Sequence, residues 1–86
     1  MVQDEMTSPA QIRAARALIA LSQADLSRLA GVSVSTLKRA EGTIQPPASA
    51  DAVAALRAAL EAAGVEFLPE NGGGAGVRLK KRAQGE

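Results

Sequence analysis

Read for its apolar positions, the chain falls into four stretches with helical spacing, followed by one that alternates. In the first, Ile12, Ala15, Arg16 and Ile19 recur at i, i+3, i+4 and i+7, the spacing of one buried helical face, with Arg16 the discordant member. Ser8 followed by Pro9 marks its start, since a serine hydroxyl caps free amides and proline lacks the amide that would be unpaired there. Leu21 closes the segment. Ser22, with Asp25 three positions later, then gives a capping-box-like start to a short second helix, Asp standing in for the preferred Glu or Gln. That helix carries Leu26, Leu29 and Ala30 inward and stops at Gly31, a residue free to take the left-handed conformation that ends many helices.

Val32 plugs the corner and Ser33 caps a third helix running from Val34 to about Glu41. Only Leu37 and Ala40 are clearly inward there, which leaves Val34, Ser35, Lys38 and Arg39 on other faces. In "TIQPPA" two prolines deny helix to the residues before them, so this is a loop, with Ile44 expected to tuck into the core. Ser49 or Ala50 opens a fourth helix, whose stripe is Val53, Leu56, Leu60 and Ala63 and whose end is Gly64. After it the period changes to two. Val65 and Phe67 alternate with Glu66, and Val77 and Leu79 alternate with Arg78 and Lys80, around a glycine-rich turn, which predicts two short strands. "GGGAG" lacks the Gly-Lys-Ser/Thr ending of a phosphate loop and follows an acidic strand, so it is read as a hairpin loop.

The expected fold is therefore mainly α, four helices with a C-terminal β-hairpin. Residues 1–7 are expected to be a flexible tail, 8–64 the helical domain, 65–82 the hairpin and 83–86 a second tail. An isolated hairpin is marginal in water. It must lean on the helices through Phe67 and Leu79, or extend a sheet across two chains by its unpaired edge. The second option makes Phe67, Val77 and Leu79 candidates for a homodimer contact.

Composition removes most other functions. Eighty-six residues make one small domain without room for a deep substrate cavity. Apolar residues are 47% of the chain but Phe67 is the one aromatic, so the core must be built of Ala, Leu, Val and Ile. Cys and His are both absent, which excludes disulfides, the usual zinc sites and any mechanism needing an imidazole or thiolate. No catalytic residue, metal ligand or cofactor is assigned. No apolar run approaches a membrane span, and the acidic start from Met1 to Met6 lacks the basic and apolar regions of a signal peptide, so a cytoplasmic location is expected. The net charge of +1 says little, but its distribution is segregated. Residues 49–70 set Arg57 against Asp51, Glu61, Glu66 and Glu70, whereas 71–86 set Arg78, Lys80, Lys81 and Arg82 against Glu86. The basic end could face a polyanion, pair with an acidic stretch of a partner, or be an ordinary solvated tail.

The outward set on the third helix is chemically specific. Arg donates two parallel hydrogen bonds to guanine O6 and N7, Ser bonds several base edges, and a Val methyl touches the thymine methyl. A solvated amphipathic helix has the same composition, so this face alone favours DNA only weakly. The longer stretch "LSQADLSRLAGVSVSTLKRAEG", Leu21 to Gly42, resembles the helix-turn-helix of the XRE or Cro/repressor family: Leu-Ser-Gln, Leu-Ala, a Gly-Val-Ser corner and a recognition helix ending in Glu-Gly. "IRAARALIAL" upstream looks like that family's first helix, its Arg seven residues before the Gln. The likeness covers Pro9 to Gly42 well and the next helix more loosely. Ser27 stands where a small Ala is common, Ala40 replaces a larger aliphatic residue, and the fifth helix of most members gives way to the hairpin.

The resemblance implies a lambda-repressor-like DNA-binding domain with the helix-turn-helix at about 22–41. It implies that Arg16 and Glu41 form a partly buried structural ion pair, which would account for an arginine on an apolar face. It places Val34, Ser35, Lys38 and Arg39 at base edges, and Gln23, Thr36, Thr43 and Arg13 at the DNA backbone. The implied partner is double-stranded DNA, bound by a homodimer reading an inverted repeat, with repression by promoter occlusion as the default. RNA polymerase or another regulator is a further partner if helix two or the acidic fourth helix activates instead. A second function class is an interaction module, an adaptor or antitoxin-like protein whose hairpin binds another protein. A third, an enzyme, is disfavoured because no base stands beside a nucleophile.

Overall fold

A computed structural model describes residues 7–70 and 72–80. The expected tails, residues 81–82 of the hairpin and Asn71 lie outside the described residues, apart from Thr7. The order is α1 (Pro9–Leu18), α2 (Gln23–Ala30), α3 (Val34–Ala40), α4 (Ala50–Ala62), β1 (Val65–Leu68) and β2 (Gly76–Leu79). The fold is mainly α, with the hairpin following four helices.

Each helix starts on a serine. Ser8, Ser22, Ser33 and Ser49 accept hydrogen bonds from the amides of Gln11, Asp25, Thr36 and Ala52, which satisfies one free donor per helix. At α1 the box is complete, because the Gln11 side chain also accepts from the Ser8 amide at 2.9 Å. At α2 it is not: Asp25 pairs with Arg28 instead of reaching back to Ser22.

The first three helices stop alike. The amides of Leu21, Val32 and Thr43 reach back to the carbonyls of Arg16, Ser27 and Lys38, and those of Ala20, Gly31 and Gly42 to Ala17, Arg28 and Arg39. This paired pattern needs a left-handed residue, and Ala20, Gly31 and Gly42 have φ of 53°, 73° and 80°. At Gly42 a side chain would also be crowded, since a Cβ there would lie 3.3 Å from Pro9 Cβ.

The core is one cluster drawn from every element except β2: Ile12 and Ala15 from α1, Leu26 from α2, Leu37 and Ala40 from α3, Leu56 and Leu60 from α4, Val65 and Phe67 from β1. Val77 of β2 packs against it from the edge. The hairpin is antiparallel, pairing Val65 with Leu79, Glu66 with Arg78, Phe67 with Val77 and Leu68 with Gly76. Gln11 ties it to α1, its Nε2 donating to the carbonyls of Gly76 (3.0 Å) and Leu68 (3.4 Å). The Arg57 guanidinium caps the Phe67 ring at 4.9 Å. On the outer face Arg78 bonds the Glu66 carboxylate and holds its pKa below the usual range, mainly through that hydrogen bond.

Four burial expectations are corrected. Leu29 is 61% exposed, because Gln23, Leu26, Ser27 and Ala30 turn toward the core and leave it to one side. Ile44 is 38% exposed, since the chain after Gly42 is turned outward by the bonds of Thr43 to the Lys38 carbonyl. Ala63 is exposed at the C-cap, past the last buried turn. Leu79 is 54% exposed: it sits at the open end of the hairpin, where Val65 opposite takes up the core contact. The hairpin therefore leans on the helices through Val65, Phe67 and Val77.

Candidate nucleic-acid interface

At about 100° per residue, Val34, Lys38, Ser35 and Arg39 occupy one arc of α3 and Leu37 and Ala40 the opposite one. Leu37 and Ala40 are buried, which fixes the roll of the helix on α2 and α4. Val34, Ser35 and Lys38 consequently face solvent. Arg39 differs from the expected exposed set. It is half-buried, and its Nε is shut off from water with no hydrogen-bond partner among the described residues.

The end of α3 is clamped by charge. Glu41, the C-cap residue, is 1% exposed, and its carboxylate accepts from Arg16 Nε at 2.7 Å, Arg16 Nη2 at 3.2 Å and Gln23 Nε2 at 3.0 Å. Arg16 Nη1 also donates to the Leu21 carbonyl at 3.2 Å, so one guanidinium joins α1, the α1–α2 turn and the end of α3. Arg13 donates to the Glu41 main-chain carbonyl, a cation placed where the helix carbonyls converge. Because an ionised carboxylate only accepts, Gln23 must turn its amide nitrogen toward Glu41. That leaves one N–H and the carbonyl oxygen of Gln23 for another partner.

The remaining residues expected at the DNA backbone are Thr36, Thr43 and Arg13. Thr36, in the first turn, accepts from the Ser33 hydroxyl at 2.9 Å and keeps its own hydroxyl hydrogen to donate. Thr43 is exposed, but both its amide and its hydroxyl donate to the Lys38 carbonyl. Arg13 is exposed and has donors to spare beyond the Glu41 bond. The hairpin candidates separate: Phe67 is 7% exposed and belongs to the core, Val77 is half-buried, and Leu79 is exposed.

Two short helices joined at a left-handed glycine, the second held by its inner side with a polar and basic outer arc, is the geometry of a helix-turn-helix. The family model for a helix-turn-helix domain matches residues 10–68. The chain belongs to that helix-turn-helix family. Its type is XRE-like, and DNA is the partner the domain supports. Comparison with curated proteins gives no match. Among the described residues no helix is long and apolar enough to cross a membrane, and no group of three or more acidic side chains is placed to hold a metal ion.

Sequence reasoning missed two positions. Gln11 completes the α1 cap and latches the hairpin, and its signal was present as Ser8-Pro-Ala-Gln11. The Arg39 Nε, unpartnered among the described residues, had no signal, since it depends on how one long side chain lies along the folded surface.

Proposed function

We propose that this helix-turn-helix protein is a sequence-specific transcriptional repressor, acting in the cytoplasm as a homodimer on an inverted-repeat operator and blocking a promoter by occupying it. The observation that carries the reading is the division of α3 into an inner side locked by Leu37, Ala40 and Glu41 and an outer arc open at Val34, Ser35 and Lys38. A rigid helix with that arc enters the major groove without rearrangement, so little ordering cost is set against its contacts.

In this reading Val34, Ser35, Lys38 and Arg39 meet base edges, Val34 through thymine methyls and Arg39 through guanine. The Arg39 Nε, without a hydrogen-bond partner among the described residues, gains one from a base or phosphate. Gln23, Thr36 and Arg13 have donors available for phosphates and fix the register. Thr43 is the weakest of the backbone candidates, because a contact from its hydroxyl or amide breaks an existing bond to Lys38. The protein uses no cofactor and catalyses no reaction.

One such domain makes few phosphate contacts and competes with very many non-specific sites. Two, related by a twofold axis, read half-sites about 34 Å apart. Selection of bound duplexes from a random pool tests this: the expected product is an inverted repeat with half-sites about one turn apart. A pool that shows no enrichment ends the reading.

A further inference from the structure

Resting on the homodimer of the proposed function, the geometry points to the outer edge of β2 as the surface that binds a second copy of this chain. Val77 and Leu79 pair antiparallel with Leu79 and Val77 of that copy, about a twofold axis at Arg78.

The ladder shows which backbone groups are free. The Lys80 amide donates to the Gly64 carbonyl at 2.8 Å, so Gly64 and Lys80 form a hydrogen-bonded pair in the register that sets Val65 against Leu79. Hydrogen-bonded and non-hydrogen-bonded pairs alternate in an antiparallel ladder. Glu66–Arg78 and Leu68–Gly76 therefore exchange bonds, while Val65–Leu79 and Phe67–Val77 point their amides and carbonyls away from the partner strand. Among the described residues no backbone bond is made by the outward groups of Val77 or Leu79. The corresponding groups of β1 lie in a strand whose side chains are buried or half-buried, whereas Arg78, Leu79 and Lys80 of β2 are all exposed. An open edge of this kind is a template for another strand.

A second copy fits this edge better than an unrelated strand, because the edge is complementary to itself. With the axis at Arg78, Val77 faces the second copy's Leu79 and Leu79 faces its Val77, and both are hydrogen-bonding positions, giving four backbone bonds. The same register covers Leu79, 54% exposed in the single chain, with a branched apolar neighbour. Lys80 falls opposite Gly76, which carries no side chain, so the lysine that would normally guard an edge has no charge directly across from it, and the Arg78 diagonal to it is paired with Glu66. The two Arg78 side chains do face one another across the axis. Each is already bonded to its own Glu66 at 3.0 and 3.4 Å, so the row across the four strands is neutral. The docking leaves α3 free, since α3 packs on α2 and α4 while β2 packs on α1 and β1.

Sedimentation equilibrium of the full chain tests the assignment with two variants. Leu79→Pro removes an amide that the hairpin does not use, and Leu79→Arg keeps the amide but sets a charge against Val77. The wild type is expected to dimerise, and Leu79→Pro, losing two of the four bonds, to dimerise about 30-fold more weakly or worse. Leu79→Arg is expected to shift the same way, both variants keeping the wild-type helical circular dichroism. A wild type that stays monomeric, or a dimer indifferent to both changes, overturns the assignment. Binding to a mixed-sequence duplex at low salt separates this result from the DNA reading. Monomeric variants that still bind support both claims, while a wild-type dimer sensitive to the variants that ignores all duplexes supports the interface and ends the DNA reading.

Discussion

Replacing Arg16 by Ala should be among the most damaging single changes outside the apolar core. The Glu41 carboxylate is 1% exposed and takes two of its three hydrogen bonds from Arg16, at 2.7 and 3.2 Å. Among the described residues, removing the arginine leaves Gln23 as the single donor to a carboxylate buried in the intact protein. Stranding a buried charge costs about 3–5 kcal/mol, and because Arg16 itself is 25% exposed the lower end, about 3 kcal/mol, is expected here. That is a large share of the about 4–13 kcal/mol available to a domain of this length. The reverse change is milder. Glu41→Gln leaves Arg16 able to reach water and still bonded to the Leu21 carbonyl, so a loss of about 1–2 kcal/mol is expected. In the double variant no buried charge remains. Its cost should fall about 2 kcal/mol short of the sum of the single losses. Urea unfolding at neutral pH, followed by far-ultraviolet circular dichroism, measures all four proteins on one scale. A loss below about 1 kcal/mol for Arg16→Ala, or simple additivity in the cycle, would refute the claim that this pair is buried and coupled.

Three further outcomes follow from backbone and burial. Ala20→Gly should raise stability by about 1 kcal/mol, because Ala20 holds φ of 53° in a helix end that glycine adopts without a Cβ penalty; thermal unfolding reads this, and a lower midpoint contradicts it. Ser27→Ala should also stabilise, by about 1 kcal/mol, since the Ser27 hydroxyl is buried without a partner among the described residues; a loss in urea unfolding would mean that the hydroxyl is bonded. Gly42→Ala should cost more than Gly31→Ala, because a Cβ at Gly31 meets nothing within 4 Å whereas one at Gly42 meets Pro9 at 3.3 Å; equal losses would leave φ as the whole explanation.

Much of this was legible in the chain because the signals are local. The four serine caps, the glycines at 31 and 42, and the change of period after Gly64 each act within a few residues, and the elements follow them. The failures are all questions of where a surface ends. Leu29, Ile44 and Ala63 fit an apolar stripe by type, yet burial depends on which neighbours are present, and these positions lie beyond them. Arg16 was discordant by pattern and is resolved by a partner 25 residues away, which spacing alone cannot supply. At the candidate site, the inward pattern of Leu37 and Ala40 placed Ser35 and Lys38 outward with Val34, but could not foresee that Arg39 lies half-buried.

In the proposed function the outer arc of α3 reads bases while Gln23 only holds the backbone. Affinities of the wild type, Arg39→Ala and Gln23→Ala for the selected operator and for single-base variants of it separate the two roles. Arg39→Ala should erase discrimination at one position per half-site, worth about 1–3 kcal/mol, and Gln23→Ala should weaken every duplex about equally. Loss of the same base preference in both variants, or in neither, contradicts the assignment.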